Sequence, residues 1–231
     1  MTHVLHYAPD NASMIIRLVL EELGVPYRTV LVNRAEREQD GDAYRKLNPN
    51  GLIPVLETPQ GPIFETGAIL LWLSEHHKGL APAPASAERA DFLKWLFFLS
   101  NTLHVEMRML FYPDKYAGAD DFAKKQLGET LRPSIQAHLQ KLETQIGSGP
   151  YLLGRQISVL DFYLCALLRW MALYPKGGTG WLDLTATPKI HALACSIEMR
   201  NSVIRTAEAE GLGPTPFSAP CYAQPPEGTA T

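Results

Sequence analysis

In the stretch NPNGLIPVLETPQGPIFETGAIL, residues 48–70, Pro54 heads a short apolar strand and Glu65-Thr66 stand immediately before a helix. Each feature could do chemistry. Proline donates no backbone hydrogen bond. A cis Ile53–Pro54 bond would turn the chain sharply and leave the N–H and C=O of Ile53 facing outward, ready to pair with an extended peptide. At a helix start the first amides lack partners and the macrodipole favours an anion. The Thr66 hydroxyl and those amides suit a carboxylate, while the Glu65 carboxylate suits an ammonium group. Together they make a receptor for an amino-acid zwitterion, although Thr66 alone also reads as an ordinary N-cap.

Around these residues the pattern predicts a compact α/β unit. A strand over 3–8 ends at Pro9, and SMIIRLVLEELG forms a helix closed by Gly24. VPYRTVLVN is a β-branched strand, and GDAYRKLNPNG supplies a short helix and turn. PVLET and PIFE form a hairpin across PQG, and TGAILLWLSEHHKG is the next helix. The order βαβαββα, with a proline before the hairpin, is that of a thioredoxin-like domain over residues 1–78. The Pro/Ala run after it makes a semi-rigid linker at 79–86. From 87 to 213 only helices are expected, so the second domain is all-α. One long helix covers AERADFLKWLFFLSNTLHVEMRMLFY, and a second contains Pro133, expected to bend or break it. A third starts with Ser158-x-x-Asp161, a capping box that assigns Asp161 to folding rather than catalysis. Residues 214–231, rich in Pro, Ala and small polar residues, read as a flexible tail, ordered only where it drapes over the body.

Composition narrows the function. The chain has 231 residues, 46% of them hydrophobic and 19% charged, which favours a folded globule over disorder. A net charge of −3 without a basic block argues against nucleic acid or an anionic membrane as partner. Apolar runs such as ISVLDFYLCALLRWMALY carry Asp161 and Arg169, and so read as buried helices, not membrane spans. The N-terminus lacks the features of a signal peptide. Cys165, Cys195 and Cys221 form no CxxC pair or zinc spacing, so a cytoplasmic setting without a metal is expected.

NPNGLIPVL, ETGAIL, the Pro/Ala linker and an all-helical region with SVLDFYL resemble the cytosolic glutathione S-transferases across residues 3–212. The resemblance implies glutathione as co-substrate, bound with Ile53 against its cysteinyl main chain, Pro54 cis, and Glu65 and Thr66 on the γ-glutamyl head. Where the family often has lysine or glutamine two residues before that proline, this chain has Leu52. Contacts to the glycine carboxylate must then come from elsewhere, with Lys46, Asn48 and Arg45 as candidates. The resemblance further implies a homodimer, the N-terminal domain of one subunit lying against the helices of the other.

The family places its catalytic group after the first strand, where this chain reads HYAPDNASMIIR. Bacterial beta-type members carry a cysteine beside a serine there. Here the cysteine position is Ala12 and the serine is kept as Ser13. Ser13, Asn11 and Tyr7 remain as alternatives, in that order, for holding a glutathione thiolate. A single hydrogen bond favouring the thiolate lowers a thiol pKa by roughly one to two units, which makes thiolate the main species near neutrality. On the long helix, Phe97, Asn101, His104, Arg108 and Phe111 recur at a 4-3-4-3 spacing that puts them on one face. Asn101, His104, Arg108 and Phe111 are expected to line the pocket for a small hydrophobic electrophile. A peroxide or disulfide could replace the electrophile, giving a peroxidase or disulfide reductase. A non-catalytic binding protein of the same fold is the third possibility, which the retention of Ser13 and Glu65-Thr66 disfavours.

Overall fold

The computed structural model describes residues 2–230. Met1 and Thr231, the ends of the expected first domain and tail, lie outside the described residues.

The N-terminal unit is built as β1 (His3–Tyr7), α1 (Ser13–Leu23), β2 (Tyr27–Leu31), a short α2 (Asp42–Arg45), β3 (Val55–Thr58), β4 (Gly61–Phe64) and α3 (Thr66–His76). The four strands form one sheet in the order β2-β1-β3-β4. β1 runs parallel to β2, while β3 is antiparallel to both β1 and β4, with Leu5 opposite Leu56. The Ile53–Pro54 bond is cis, as the family resemblance implies. β3 begins only at Val55, so Ile53 lies just outside the ladder.

The C-terminal unit is helical: α4 (Arg89–Phe98), α5 (His104–Phe111), α6 (Asp114–Ala117), α7 (Asp121–Ile146), α8 (Val159–Leu173), α9 (Pro188–Glu198) and α10 (Asn201–Glu210). α8 is buried along nearly its whole length, which is why its sequence is apolar all round rather than amphipathic. It starts at the expected capping box. The Ser158 hydroxyl accepts from the Leu160 amide, and the Asp161 carboxylate accepts from the amides of Ser158 and Leu152 at 2.7 and 2.8 Å. α1 packs on both α8 and α10, so the two units share a continuous core. No helix among the described residues is long and apolar enough to cross a membrane.

Three expectations need correction. The helix after the linker is not uniform, because a π-helical turn over Leu99–Leu103 separates α4 from α5. Pro133 does not break α7, which runs on through it. Pro133 is exposed, so the Glu129 carbonyl that loses its amide partner there can turn to water. The segment from Pro214 is not a loose tail. Phe217 is fully buried, and its amide and that of Ser218 donate to Glu198 at 2.6 Å. The Gln224 amide donates to the Gly211 carbonyl at 2.8 Å. Gly211 has a φ of 64°, and a Cβ on it would lie 2.0 Å from the Gln224 carbonyl oxygen, so glycine is what lets the chain fold back here.

Candidate active site

Between β1 and α1 the chain must turn from the end of an inner strand into a buried helix. Asp10 makes the turn with a φ of 51°, in the left-handed region that Asp tolerates better than most residues. Its carboxylate is fully buried and receives four donors from α8 and its end. Arg169 Nε and Nη2 donate at 2.8 and 3.0 Å, and Trp170 Nε1 and the Tyr174 hydroxyl each donate at 2.9 Å. The remaining guanidinium donors reach the carbonyls of Pro216 and Cys221 at 3.2 and 2.9 Å. Arg169 thus ties the turn to the helical unit and to the tail.

This anchoring fixes what the neighbours can do. Ser13 is fully buried, and its hydroxyl accepts from the Ala8 amide at 3.2 Å and donates to the Ala8 carbonyl at 3.0 Å. It stitches the loop to itself and lies off the cavity wall described next. Tyr7 is also turned away. Its hydroxyl donates to Glu227 of the tail, Arg17 sits 4.6 Å from its ring centre, and burial followed by the Glu227 contact pushes its pKa up. Asn11 is different: it is half-buried in the wall, and its Oδ1 has no hydrogen-bond partner.

That wall encloses a cavity of about 640 Å³ between the two units. Sites for small organic ligands typically span roughly 300–1,000 Å³. Ile53, Pro54, Leu52, Asn48, Glu65 and Thr66 all line it with Asn11. Asn48 is buried and does not reach outward. Its Nδ2 donates to the Leu52 carbonyl at 2.7 Å, Tyr44 donates to the same oxygen at 3.0 Å, and its Oδ1 accepts from the Asn50 amide. These bonds hold the bend that leads into Ile53. Lys46 and Arg45 are off the wall, and Arg45 is spent on the carbonyls of Asp40 and Pro49. The loop of residues 33–40 supplies Arg34, Arg37 and Gln39 to this end of the cavity, which no sequence signal had pointed to.

Glu65 caps α3 with a φ of 70°. A non-glycine residue in that region costs of order 1–3 kcal/mol and persists where the surroundings demand it. The conformation exposes the carboxylate while Thr66 stays buried at the helix start. Gly67 follows. A Cβ there would meet Ser100 of the π turn at 3.3 Å, so glycine lets α3 approach the helical unit closely.

On the opposite wall, His104, Arg108 and Phe111 appear as expected, but Asn101 and Phe97 do not. The π turn, which contains Asn101, separates Phe97 from His104. Its extra residue per turn rotates the face, so Ser100 enters the wall and Asn101 points out to solvent. Tyr163, Trp170 and Tyr174 complete this side. His104 Nδ1 lies 2.8 Å from the Tyr163 hydroxyl and its ring faces Trp170. Burial, aided by the charge of Arg108, lowers the His104 pKa to about 4, so it is neutral near pH 7. None of the three cysteines lines the cavity.

Residues 12–76 match the glutathione S-transferase N-terminal domain and residues 116–193 the C-terminal domain. A sphingomonad glutathione S-transferase solved in complex with glutathione is 31% identical. The match covers 91% of this chain and all of that one, with a TM-score of 0.76. The chain belongs to the glutathione S-transferase family. BphK, a bacterial transferase solved as a ternary complex, is 30% identical over 90% of this chain and all of its own, with a TM-score of 0.78. Glutathione S-transferase GstA of Escherichia coli O157:H7 is 28% identical over 90% of this chain and 98% of its own. Of the three candidates after β1, Asn11 is the one that lines the cavity.

Proposed function

We propose that the protein is a glutathione transferase that holds the glutathione sulfur as thiolate against Asn11 and presents it to an electrophile seated on α5 and α8. The supporting observation is that Ile53-Pro54, Glu65-Thr66 and Asn11, from three separated segments, meet on one cavity. The Ile53 main chain pairs with the cysteinyl residue. The Thr66 hydroxyl and the free amides at the start of α3 take the γ-glutamyl carboxylate, and Glu65 takes its ammonium. The glycine carboxylate points toward the loop bearing Arg34, Arg37 and Gln39. The Asn11 side-chain amide donates to sulfur. Such a bond contributes about 1.5–3 kcal/mol, equivalent to roughly one to two pKa units. The N-terminus of α1 adds up to about 1 kcal/mol. The enzyme acts as a cytoplasmic homodimer, as the family resemblance implies.

The test is turnover of glutathione with an aryl chloride, an organic hydroperoxide and a small mixed disulfide in parallel. Transfer to the aryl chloride is the expected leading activity. Turnover confined to the hydroperoxide or disulfide would replace the transferase reading with a peroxidase or reductase on the same thiolate. No turnover with any of the three, alongside glutathione binding, would make the protein a binding module.

A further inference from the structure

Glutathione brings two carboxylates and one ammonium to the cavity, and the N-terminal wall accounts for all three. The helical wall then has charge left over. Three carboxylates line the cavity, and each is committed: Asp10 to Arg169, Asp40 to Arg37 and Arg45, and Glu65 to the ammonium of glutathione in the reading above. Arg108 and Lys115, also on the wall, have no carboxylate partner among the described residues. Aromatic groups hold them instead. Arg108 donates to the Tyr116 hydroxyl and lies 5.6 Å from that ring's centre, and Lys115 lies 5.0 Å from the centre of Tyr112.

Their position matters as much as their charge. Phe111 contacts the ring of Tyr174, and Tyr174 donates to Asp10, the residue before Asn11. Arg108 and Lys115 flank Phe111 on the chain and line the same cavity as Asn11. A neutral apolar ligand beside them would strip water from half-buried Arg108 and give nothing back to either cation, Lys115 being exposed. A carboxylate would satisfy both, with Phe111, Trp170 and Tyr174 offering flat faces to a ring.

We infer that the second substrate is an anionic aromatic electrophile, its carboxylate held by Arg108 and Lys115 and its ring against Phe111, Trp170 and Tyr174. The inference rests on the transferase reading for its chemistry but not for its binding site. With a chloronitrobenzoate, the thiolate sulfur forms a bond to the ring carbon that bears chlorine. The C–Cl bond breaks, chloride leaves with the electron pair, and the thiol proton has already passed to solvent.

The experiment measures the affinity of two unreactive product conjugates, S-(nitrophenyl)glutathione and its ring-carboxylated counterpart, by calorimetric titration of the full chain. Free glutathione is the third ligand. In the native protein the carboxylated conjugate should bind about tenfold tighter than the uncharged one, the value of one charge-assisted hydrogen bond. That preference should vanish in Arg108→Gln/Lys115→Gln and survive in Lys115→Arg. Equal binding of the two conjugates by the native protein overturns the inference. So does a double variant that loses affinity for free glutathione as much as for the conjugates, since the cations would then be serving the glycine carboxylate. Absence of aryl chloride turnover would sink the transferase reading while leaving a measured preference for the carboxylated conjugate in support of the anion site.

Discussion

The two walls of the cavity are made of different material. The N-terminal wall is set by bends and helix ends, which fix both main chain and the side chains of Asn11, Glu65 and Thr66: the bend into Ile53, the strained cap at Glu65, the first turn of α3 and the loop before α1. The helical wall relies on side chains projected from α5 and α8. Receptors set by backbone turns suit a ligand that never changes, and their geometry is held by bonds such as those from Asn48 and Tyr44 to the Leu52 carbonyl. Side-chain receptors can be altered one residue at a time without disturbing a backbone. That division matches a constant co-substrate on one side and a variable electrophile on the other.

The sharpest way to break the comparison is to cut what joins the walls. Arg169→Ala leaves the Asp10 carboxylate buried without its cation, and breaking a buried pair in this way costs about 3–5 kcal/mol. Urea unfolding should show the midpoint falling accordingly. Asp10→Asn/Arg169→Gln, which removes both charges, should recover part of the loss. If Arg169→Ala unfolds at the native midpoint, the two walls do not depend on this junction.

Thr66→Ala tests a side chain of the N-terminal wall alone. It removes one donor to the γ-glutamyl carboxylate, worth about 1.5–3 kcal/mol, or roughly ten- to a hundredfold in glutathione affinity. Calorimetry should find this loss while the preference between the two aryl conjugates persists. A variant that bound glutathione as the native protein does would remove Thr66 from the receptor.

How far the sequence could be read follows the same division. The N-terminal wall was legible because its devices are local. A proline, a hairpin turn and an acid–hydroxyl pair before an apolar helix carry their geometry with them. The helical wall depends on helix phase, and phase is lost across a π turn that leaves no mark in LSNTL. Asn101 was therefore misplaced and Ser100 missed. A hydroxyl at a helix start looks available at Ser13, yet its one donor is taken by the Ala8 carbonyl and the Ala8 amide donates to its oxygen. The Asp10–Arg169 pair did leave a trace, since a lone arginine in an apolar helix needs a buried partner. Its partner lay 159 positions away, beyond any spacing rule. The tail looked mobile because its composition is loop-like, but Phe217 and the Gly211 turn hold it.

The loop before α1 separates two roles that sequence reading had merged in Ser13. Asn11→Ala should raise the pKa of bound glutathione by roughly one to two units, followed as thiolate absorbance in the ultraviolet against pH with saturating glutathione. Ser13→Ala should leave that midpoint in place. Instead it should lower stability by about 1–3 kcal/mol, because the buried Ala8 amide loses its acceptor. The opposite pattern, a moved midpoint in Ser13→Ala alone, would return the thiolate to the hydroxyl and require the loop to open when glutathione binds.

The smallest effect concerns His104 and reports on the helical wall without any turnover. Burial, with the Arg108 charge as the lesser cause, lowers its pKa to about 4, whereas an unfolded histidine titrates near about 6.5. Between those values the unfolded chain binds a proton here that the folded chain does not. Stability at this residue is therefore intact above about pH 6.5 and falls as pH drops toward 4. Thermal midpoints of the native protein and His104→Gln, which cannot titrate, should run parallel above that window and diverge within it, the native protein losing more. The ring's proton resonances, followed against pH, assign the change to this histidine. Binding the carboxylated conjugate should raise the lower edge of the window and narrow it, because a carboxylate on Arg108 offsets the positive charge that helps keep the imidazole neutral. The uncharged conjugate should move it less. A His104 that titrates near pH 6.5 in the free protein would mean that the imidazole is open to water, and the contrast between a fixed receptor and a side-chain-built one would fail there first.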